Sequence, residues 1–247
     1  MRGRNVLLLV ALPAALYAGT VKQEYVFSTP VIGNDAVTMQ GCHPFYMAYA
    51  PNIPAKSVRL LLPDGQQAVS FTVSFDEAVT LNGSHSIMPY RPEIRIGATM
   101  PLDYYTRRAG AYQKNREFPF KVKSDAFETQ YKGGHPIFMA QVFPVQYNPM
   151  TGTLRYFKKM TVTVRTVTAS EKPIAYSATP VVKDEIAQLV DNPAGLSKLT
   201  AGAVTANDYE YLIITTSALP ASTAGFTTLT AFNTRRGMRT KIVTKCF

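Results

Sequence analysis

The chain of 247 residues has no tryptophan, only two cysteines and three histidines, and a charged fraction of just 17%. Cys42 and Cys246 stand at opposite ends of the sequence, which excludes a disulfide framework and any metal site of C-x-x-C spacing. No Gly-rich phosphate loop, no paired carboxylates in a cleft-like context and no metal-ligand spacing occur, so no cofactor or metal is expected and an intact enzyme of another class finds no support. The scarcity of charge excludes a coiled coil, and no apolar run after Leu16 approaches the roughly 20 residues of a membrane helix. What is abundant is 14 Tyr, 13 Phe, 17 Pro and a 46% apolar fraction. That composition supports a packed core and a β-rich chain with many turns.

The three histidines, His43, His85 and His135, each lie beside Gly or Pro and read as separate surface-loop residues. Cys42-His43 invites a thiol–imidazole pairing, yet neighbours on an extended segment point to opposite faces, which argues against a dyad. The formal net charge of +10 comes mostly from the two ends, Arg2 and Arg4 at one and Arg235, Arg236, Arg239, Lys241 and Lys245 at the other. The remainder is too diffuse to expect a nucleic-acid partner.

Arg2 and Arg4 precede the apolar run Val6–Leu16, and Ala18-Gly19 supplies small residues suited to cleavage. Residues 1–18 therefore read as a secretory signal peptide, placing the protein outside the cell or on its surface. The competing readings are a membrane anchor, for which the run is too short, and a buried strand or helix.

From Gly19 to Thr168, short segments of period 2 alternate with turn signals at Gly33-Asn34-Asp35, Pro63-Asp64-Gly65, Asn82-Gly83-Ser84 and Asn148–Gly152. Such punctuation predicts an antiparallel β-sandwich. The clearest strand is expected over Leu154–Val164, with Leu154, Tyr156, Met160, Val162 and Val164 on one face. The long stretch from His135 to Tyr147 should fold back on it through the Asn148–Gly152 turn. Residues 169–207 are rich in Ala, Ser, Thr and Pro and predict a linker holding one short helix, Val181–Val190. From Asp208 on the rules change. Leu212-Ile213-Ile214 is apolar on both faces, as in a covered parallel strand. A helix over Ser222–Arg236 is expected to turn Phe226, Leu229 and Phe232 to one side and to stop at Gly237, and a second strand follows to Thr244. A single strand-helix-strand unit covers neither face of its sheet, so residues 208–247 read as the truncated start of a larger α/β domain.

The opening Asp208-Tyr-Glu-Tyr-Leu-Ile-Ile-Thr-Thr, the aromatic helix, and Gly237 followed by Thr240-Lys-Ile-Val-Thr244 resemble the start of the gingipain-type cysteine peptidase domain. Upstream, Pro144-Val-Gln-Tyr-Asn-Pro-Met-Thr-Gly-Thr-Leu154 with Val162-Thr-Val-Arg165 resembles the end of the β-sandwich propeptide that precedes such domains. The resemblance implies a secreted zymogen in which a prodomain assists folding and inhibits a caspase-like catalytic domain acting on protein substrates. The cognate catalytic domain is then the partner. The family's catalytic His and Cys lie beyond Thr244, so this chain carries no catalytic residue, and Cys246 is too early to be the nucleophile. The alternative is a secreted β-sandwich adhesion or binding module without catalytic role.

An inhibitory propeptide needs an exposed loop that presents a side chain to a specificity pocket. The longest candidate runs from Asp103 to Glu117, and Arg107 or Arg108 is its candidate anchor, because a guanidinium pairs bidentately with a carboxylate where Lys cannot. A solvated basic loop is the competing reading.

Overall fold

The computed structural model describes residues 19–33, 36–76, 78–170, 179–199, 209–219 and 221–245. The expected signal peptide, Cys246 and the stretches 171–178 and 200–208 of the expected linker lie outside the described residues. The chain forms two compact units, residues 1–200 and 201–247.

The first unit is mainly β. In chain order its strands are β1 (Gly19–Val26), β2 (Val31–Ile32), β3 (Val37–Thr38), β4 (His43–Pro44), β5 (Pro54–Leu61), β6 (Gln66–Phe75), β7 (Ala78–Thr80), β8 (Glu128–Lys132), β9 (His135–Val142), β10 (Val145–Asn148), β11 (Thr153–Phe157) and β12 (Lys159–Thr168). They pair in antiparallel sheets of order β1-β12-β6, β10-β11-β7, β4-β5-β9-β8 and β2-β3. One continuous core joins them, with Phe138, Leu60, Leu154, Met160, Val162 and Val164 fully buried at its centre.

The expected Leu154–Val164 strand is two strands in different sheets. Leu154, Tyr156, Met160, Val162 and Val164 are all buried as the alternation requires. Lys158, however, falls on the same parity, is exposed, and marks the bend where β11 passes into β12. A cation cannot enter the core unpaired, so the chain changes sheet there. The hairpin forms in the expected register: Asn148 opposes Thr153, Asn148 Oδ1 accepts from the Met150 N–H at 3.0 Å, and Gly152 closes the turn at φ 72°. The stretch before it is likewise interrupted, β9 ending at Val142 and β10 resuming after Phe143-Pro144.

Helix α1 (Pro180–Leu189) is the helix expected in the linker, and it is docked on the β unit. Thr179 Oγ1 caps it by accepting from the Val182 N–H at 3.3 Å, and Pro180 takes the first turn, where no N–H is needed. Ile186 is buried with Val190 against Leu61 and Ile137. Beyond the helix, Asp191 and Asn192 clamp the edge of β5. The Asp191 N–H donates to Arg59 O at 2.7 Å and its carboxylate accepts from the Arg59 N–H at 2.9 Å, while Asn192 Oδ1 accepts from the Leu61 N–H at 2.8 Å and its amide donates to Leu61 O at 3.0 Å. The same carboxylate accepts from Tyr25 Oη at 2.8 Å and Lys56 Nζ at 2.9 Å.

The second unit is the expected strand-helix-strand: β13 (Tyr211–Thr215), α2 (Ala224–Arg235) and β14 (Thr240–Thr244), the strands parallel with Tyr211 opposite Thr240. Gly237 ends the helix at φ 81°, its N–H bonded to Thr234 O and that of Met238 to Asn233 O. The covered side of α2 is Phe226, Thr230 and Asn233, whereas Leu229 and Phe232 stay exposed, contrary to the expected face. Helical geometry explains the difference. Steps of three residues swing by about 120° between Phe226 and Phe232, while the 4,3 spacing of Phe226, Thr230 and Asn233 stays on one stripe.

Candidate interaction site

Residues 81–127 join β7 to β8 as a long irregular excursion whose one short helical turn is Gly110–Gln113. Its Arg-bearing segment is built from successive turns: the Tyr104 N–H donates to Pro101 O, and the N–H groups of Thr106 and Arg107 both donate to Asp103 O, at 3.0 and 2.7 Å. Asp103 also faces Arg107 across a helical turn, with Nε 3.6 Å from Oδ2. The segment is tied to the β unit through Tyr49, whose N–H donates to Tyr90 O and whose carbonyl accepts from the Ala109 N–H, both at 2.7 Å. Tyr49 holds φ at 61°, a conformation that bulky residues rarely adopt and that costs on the order of 1–3 kcal/mol. The two backbone bonds and the stacking described next hold it there.

Both candidate anchors are exposed and both rest on aromatic rings. The Arg107 guanidinium lies 4.9 Å from the Tyr49 ring centroid and that of Arg108 4.8 Å from Tyr112. Arg91 repeats the arrangement, 5.5 Å over Tyr105 while donating to Tyr105 O at 3.0 Å. Tyr112 anchors the base of the loop, its hydroxyl donating to Ile87 O at 2.7 Å; burial pushes its phenol well above the usual range, with Arg108 opposing. The surface is therefore one of stacked Arg–Tyr pairs, with the apolar side chains of Ile96 and Leu102 fully exposed nearby in sequence. The interleaving of Tyr104, Tyr105 and Tyr112 with Arg107 and Arg108 was visible in the sequence. Tyr49, far upstream, had no signal there.

The remaining candidates separate. His43 spends both ring nitrogens, Nε2 on Ser57 Oγ at 2.8 Å and Nδ1 on Pro44 O at 2.9 Å. Cys42 is half-buried and its thiol is pushed up to about 11 by burial, with Lys56 pulling the other way, so it is protonated at neutral pH and the two make no nucleophile. His135 is not a surface-loop residue. It starts β9, is fully buried, and sets Nδ1 2.7 Å from Asp64 Oδ1. Gly134, at φ 85°, turns the chain into the strand and carries it inward. Among the described residues no three His, Cys, Asp or Glu side chains are grouped to hold a metal ion.

No curated protein matches the chain. Among solved structures, it is similar to the complex of Porphyromonas gingivalis RgpB pro- and mature domains, at 15% identity and a TM-score of 0.50, covering 70% of this chain and 93% of that one. A structure on the zymogenic latency of gingipain K from the same organism aligns at 18% identity and a TM-score of 0.45, over 63% of this chain and 96% of that one. At these identities the first likeness is one of fold. The family model described as Propeptide_C25 matches residues 29–186. With well over half of its 247 residues matched, the chain belongs to the Propeptide_C25 family and carries a gingipain-type propeptide.

Proposed function

We propose that the chain is the N-terminal region of a gingipain-like cysteine endopeptidase zymogen, in which a β-sandwich prodomain assists folding of the catalytic domain and holds it inactive. The observation that carries this reading is the order of parts. A propeptide family match over residues 29–186 is followed by a parallel strand-helix-strand unit, Tyr211–Thr244, of the kind that opens an α/β domain. In this reading residues 1–18 export the protein, residues 208–247 begin a caspase-like domain, and the cognate catalytic domain supplies His, Cys and the activity on protein substrates. The adhesion-module alternative has no observation in its favour.

Arg107 and Arg108 are the proposed inhibitory anchors. Each guanidinium is held over a ring yet open to solvent, so leaving its Tyr costs only about 0.5–1 kcal/mol. Entering an acidic pocket as a bidentate pair returns more than that. The experiment is inhibition of the cognate catalytic domain by the purified chain, with and without the double substitution Arg107→Ala, Arg108→Ala. Loss of about 2 kcal/mol, near thirtyfold, is expected. Undiminished inhibition removes the loop from the mechanism, and no inhibition by the parent chain overturns the prodomain reading.

A further inference from the structure

Strands β4 and β5 set a histidine beside a serine. His43 opposes Ala55 in the antiparallel pair, so Ser57, two residues on along β5, stands on the same face and within diagonal reach. The Ser57 Oγ lies 2.8 Å from His43 Nε2. His43 Nδ1 lies 2.9 Å from Pro44 O, and because a carbonyl oxygen only accepts, Nδ1 is the nitrogen that carries the proton. Nε2 is then the lone-pair nitrogen, and the Ser57 hydroxyl donates to it. Stacking on Tyr46, with ring centroids 6.0 Å apart and planes 10° apart, steadies the imidazole in that attitude. A hydroxyl bonded to one imidazole nitrogen, with the other nitrogen held by a fixed acceptor, is the arrangement that activates a serine nucleophile. Here a backbone carbonyl stands where a carboxylate more often does.

Ser57 is half-buried and lines an open cavity of about 440 Å³. That volume lies within the range of small-molecule sites. Gln141 stands directly opposite Ser57 in the pairing of β5 with β9 and lines the same cavity. Cross-strand partners hold their Cβ atoms about 5 Å apart, which brings the Gln141 side-chain amide within reach of a group bonded to Ser57 Oγ. The segment facing β9 is fixed, the Ser124 N–H donating to Gln141 O at 2.9 Å and Ser124 Oγ accepting from the Gln141 N–H at 3.2 Å. Ala126, Phe127 and Met139 add apolar lining, and the one charged lining residue is Glu128. A neutral substrate with a short apolar acyl group suits this cavity, and an anionic one meets a carboxylate.

We propose that Ser57 and His43 form a nucleophile–base dyad that hydrolyses uncharged carboxylic esters of short acyl chain. Ser57 Oγ adds to the ester carbonyl carbon while its proton passes to His43 Nε2, and the Gln141 amide donates to the oxygen that takes up the negative charge. The carbon–oxygen bond to the alcohol then breaks, and His43 returns the proton to the departing oxygen. Water, giving a proton to the same nitrogen, adds to the acyl group and breaks its bond to Ser57. The carboxylic acid leaves, and the proton on Nε2 restores the hydroxyl. The proposal goes beyond the prodomain reading and does not rest on it.

The test treats the full chain with an alkyl fluorophosphonate, whose phosphorus bonds to an activated serine oxygen with loss of fluoride, and maps the adduct by peptide mass analysis. One adduct is expected, on Ser57, and none on heat-denatured protein. His43→Gln, which keeps a hydrogen-bonding group but no base, should slow the labelling at least about tenfold. Hydrolysis of p-nitrophenyl butyrate by the full chain should fall at least about tenfold in Ser57→Ala and in Gln141→Ala. If a variant fails to fold, the contrast between native and heat-denatured labelling gives the reading on unaltered protein. No adduct, an adduct elsewhere, labelling that survives denaturation, or Ser57 labelling undiminished in folded His43→Gln overturns the proposal. Hydrolysis unchanged in Ser57→Ala overturns it as well, and hydrolysis unchanged in Gln141→Ala overturns the amide's part in it. No peptidase is present and Arg107 and Arg108 are untouched, so the outcome is separate from that of the inhibition experiment.

Discussion

The two units use apolar residues in opposite ways. In the β unit, alternation places Leu154, Tyr156, Met160, Val162 and Val164 in one core shared by several sheets, with none more than 3% exposed. In the strand-helix-strand unit, Leu212 and Ile214 of β13 and Val243 of β14 remain exposed, as do Leu229 and Phe232 of α2. Both strand sets read as strongly apolar in sequence. Burial depends on a second layer, which the antiparallel sheets provide for one another and a two-stranded parallel sheet with one helix does not.

The largest expected effect lies in that contrast. Phe138→Ala, at a fully buried position in the first core, should cost about 3–5 kcal/mol, whereas Ile214→Ala should cost under about 1 kcal/mol. Chemical denaturation of the full chain, followed by probes in each unit, measures both. Similar losses would mean that β13 is covered as fully as β9 and would erase the distinction. A smaller effect is expected at the border of the β unit. Asp191→Ala leaves Tyr25 Oη, Lys56 Nζ and the Arg59 N–H without their shared acceptor and should cost about 2–3 kcal/mol. Cleavage within residues 179–199 should quicken before the β core opens, as limited proteolysis with mass analysis will report. Unchanged protection would show that Asn192 and the buried Ile186 and Val190 hold the segment without the Asp191 contacts.

The smallest effect concerns Cys42. Its folded pKa, raised to about 11 from an ordinary value near 9, means that the protonated thiol is favoured in the fold. The associated stability is present below pH 9 and declines as pH rises through 11. In a Cys246→Ser background, alkylation of folded Cys42 at pH 8 should run at least tenfold slower than in denaturant. Equal rates would place the thiol at the surface and sharpen the limits of the core around it.

How far the sequence could be read followed the range of the interactions. The hairpin at Asn148–Gly152 was legible because Asn-Pro and Gly fix local dihedrals, and the helix beginning at Pro180 because its capping Thr179 and first-turn proline are adjacent. Lys158 carried the break between β11 and β12, but only to a reader who follows parity through it. His135 looked like a loop residue beside glycines. Its burial depends on Asp64, brought opposite by the pairing of β5 with β9. The Arg107–Arg108 segment could be picked out as exposed and basic. Its stacking on Tyr49 could not, because that ring arrives from a distant loop through backbone bonds at Tyr90 and Ala109.

The Asp191–Asn192 clamp has a consequence for inheritance. Side chains that mimic a neighbouring strand on β5 bind residues 179–199 to the sheet as if they were part of it, although the family match ends at residue 186. A peptide bond cut between residues 199 and 209 therefore separates two pieces of unequal character. The helix and its clamp go with the β unit, the edge of β5 stays sealed in the released piece, and the strand-helix-strand unit leaves without either.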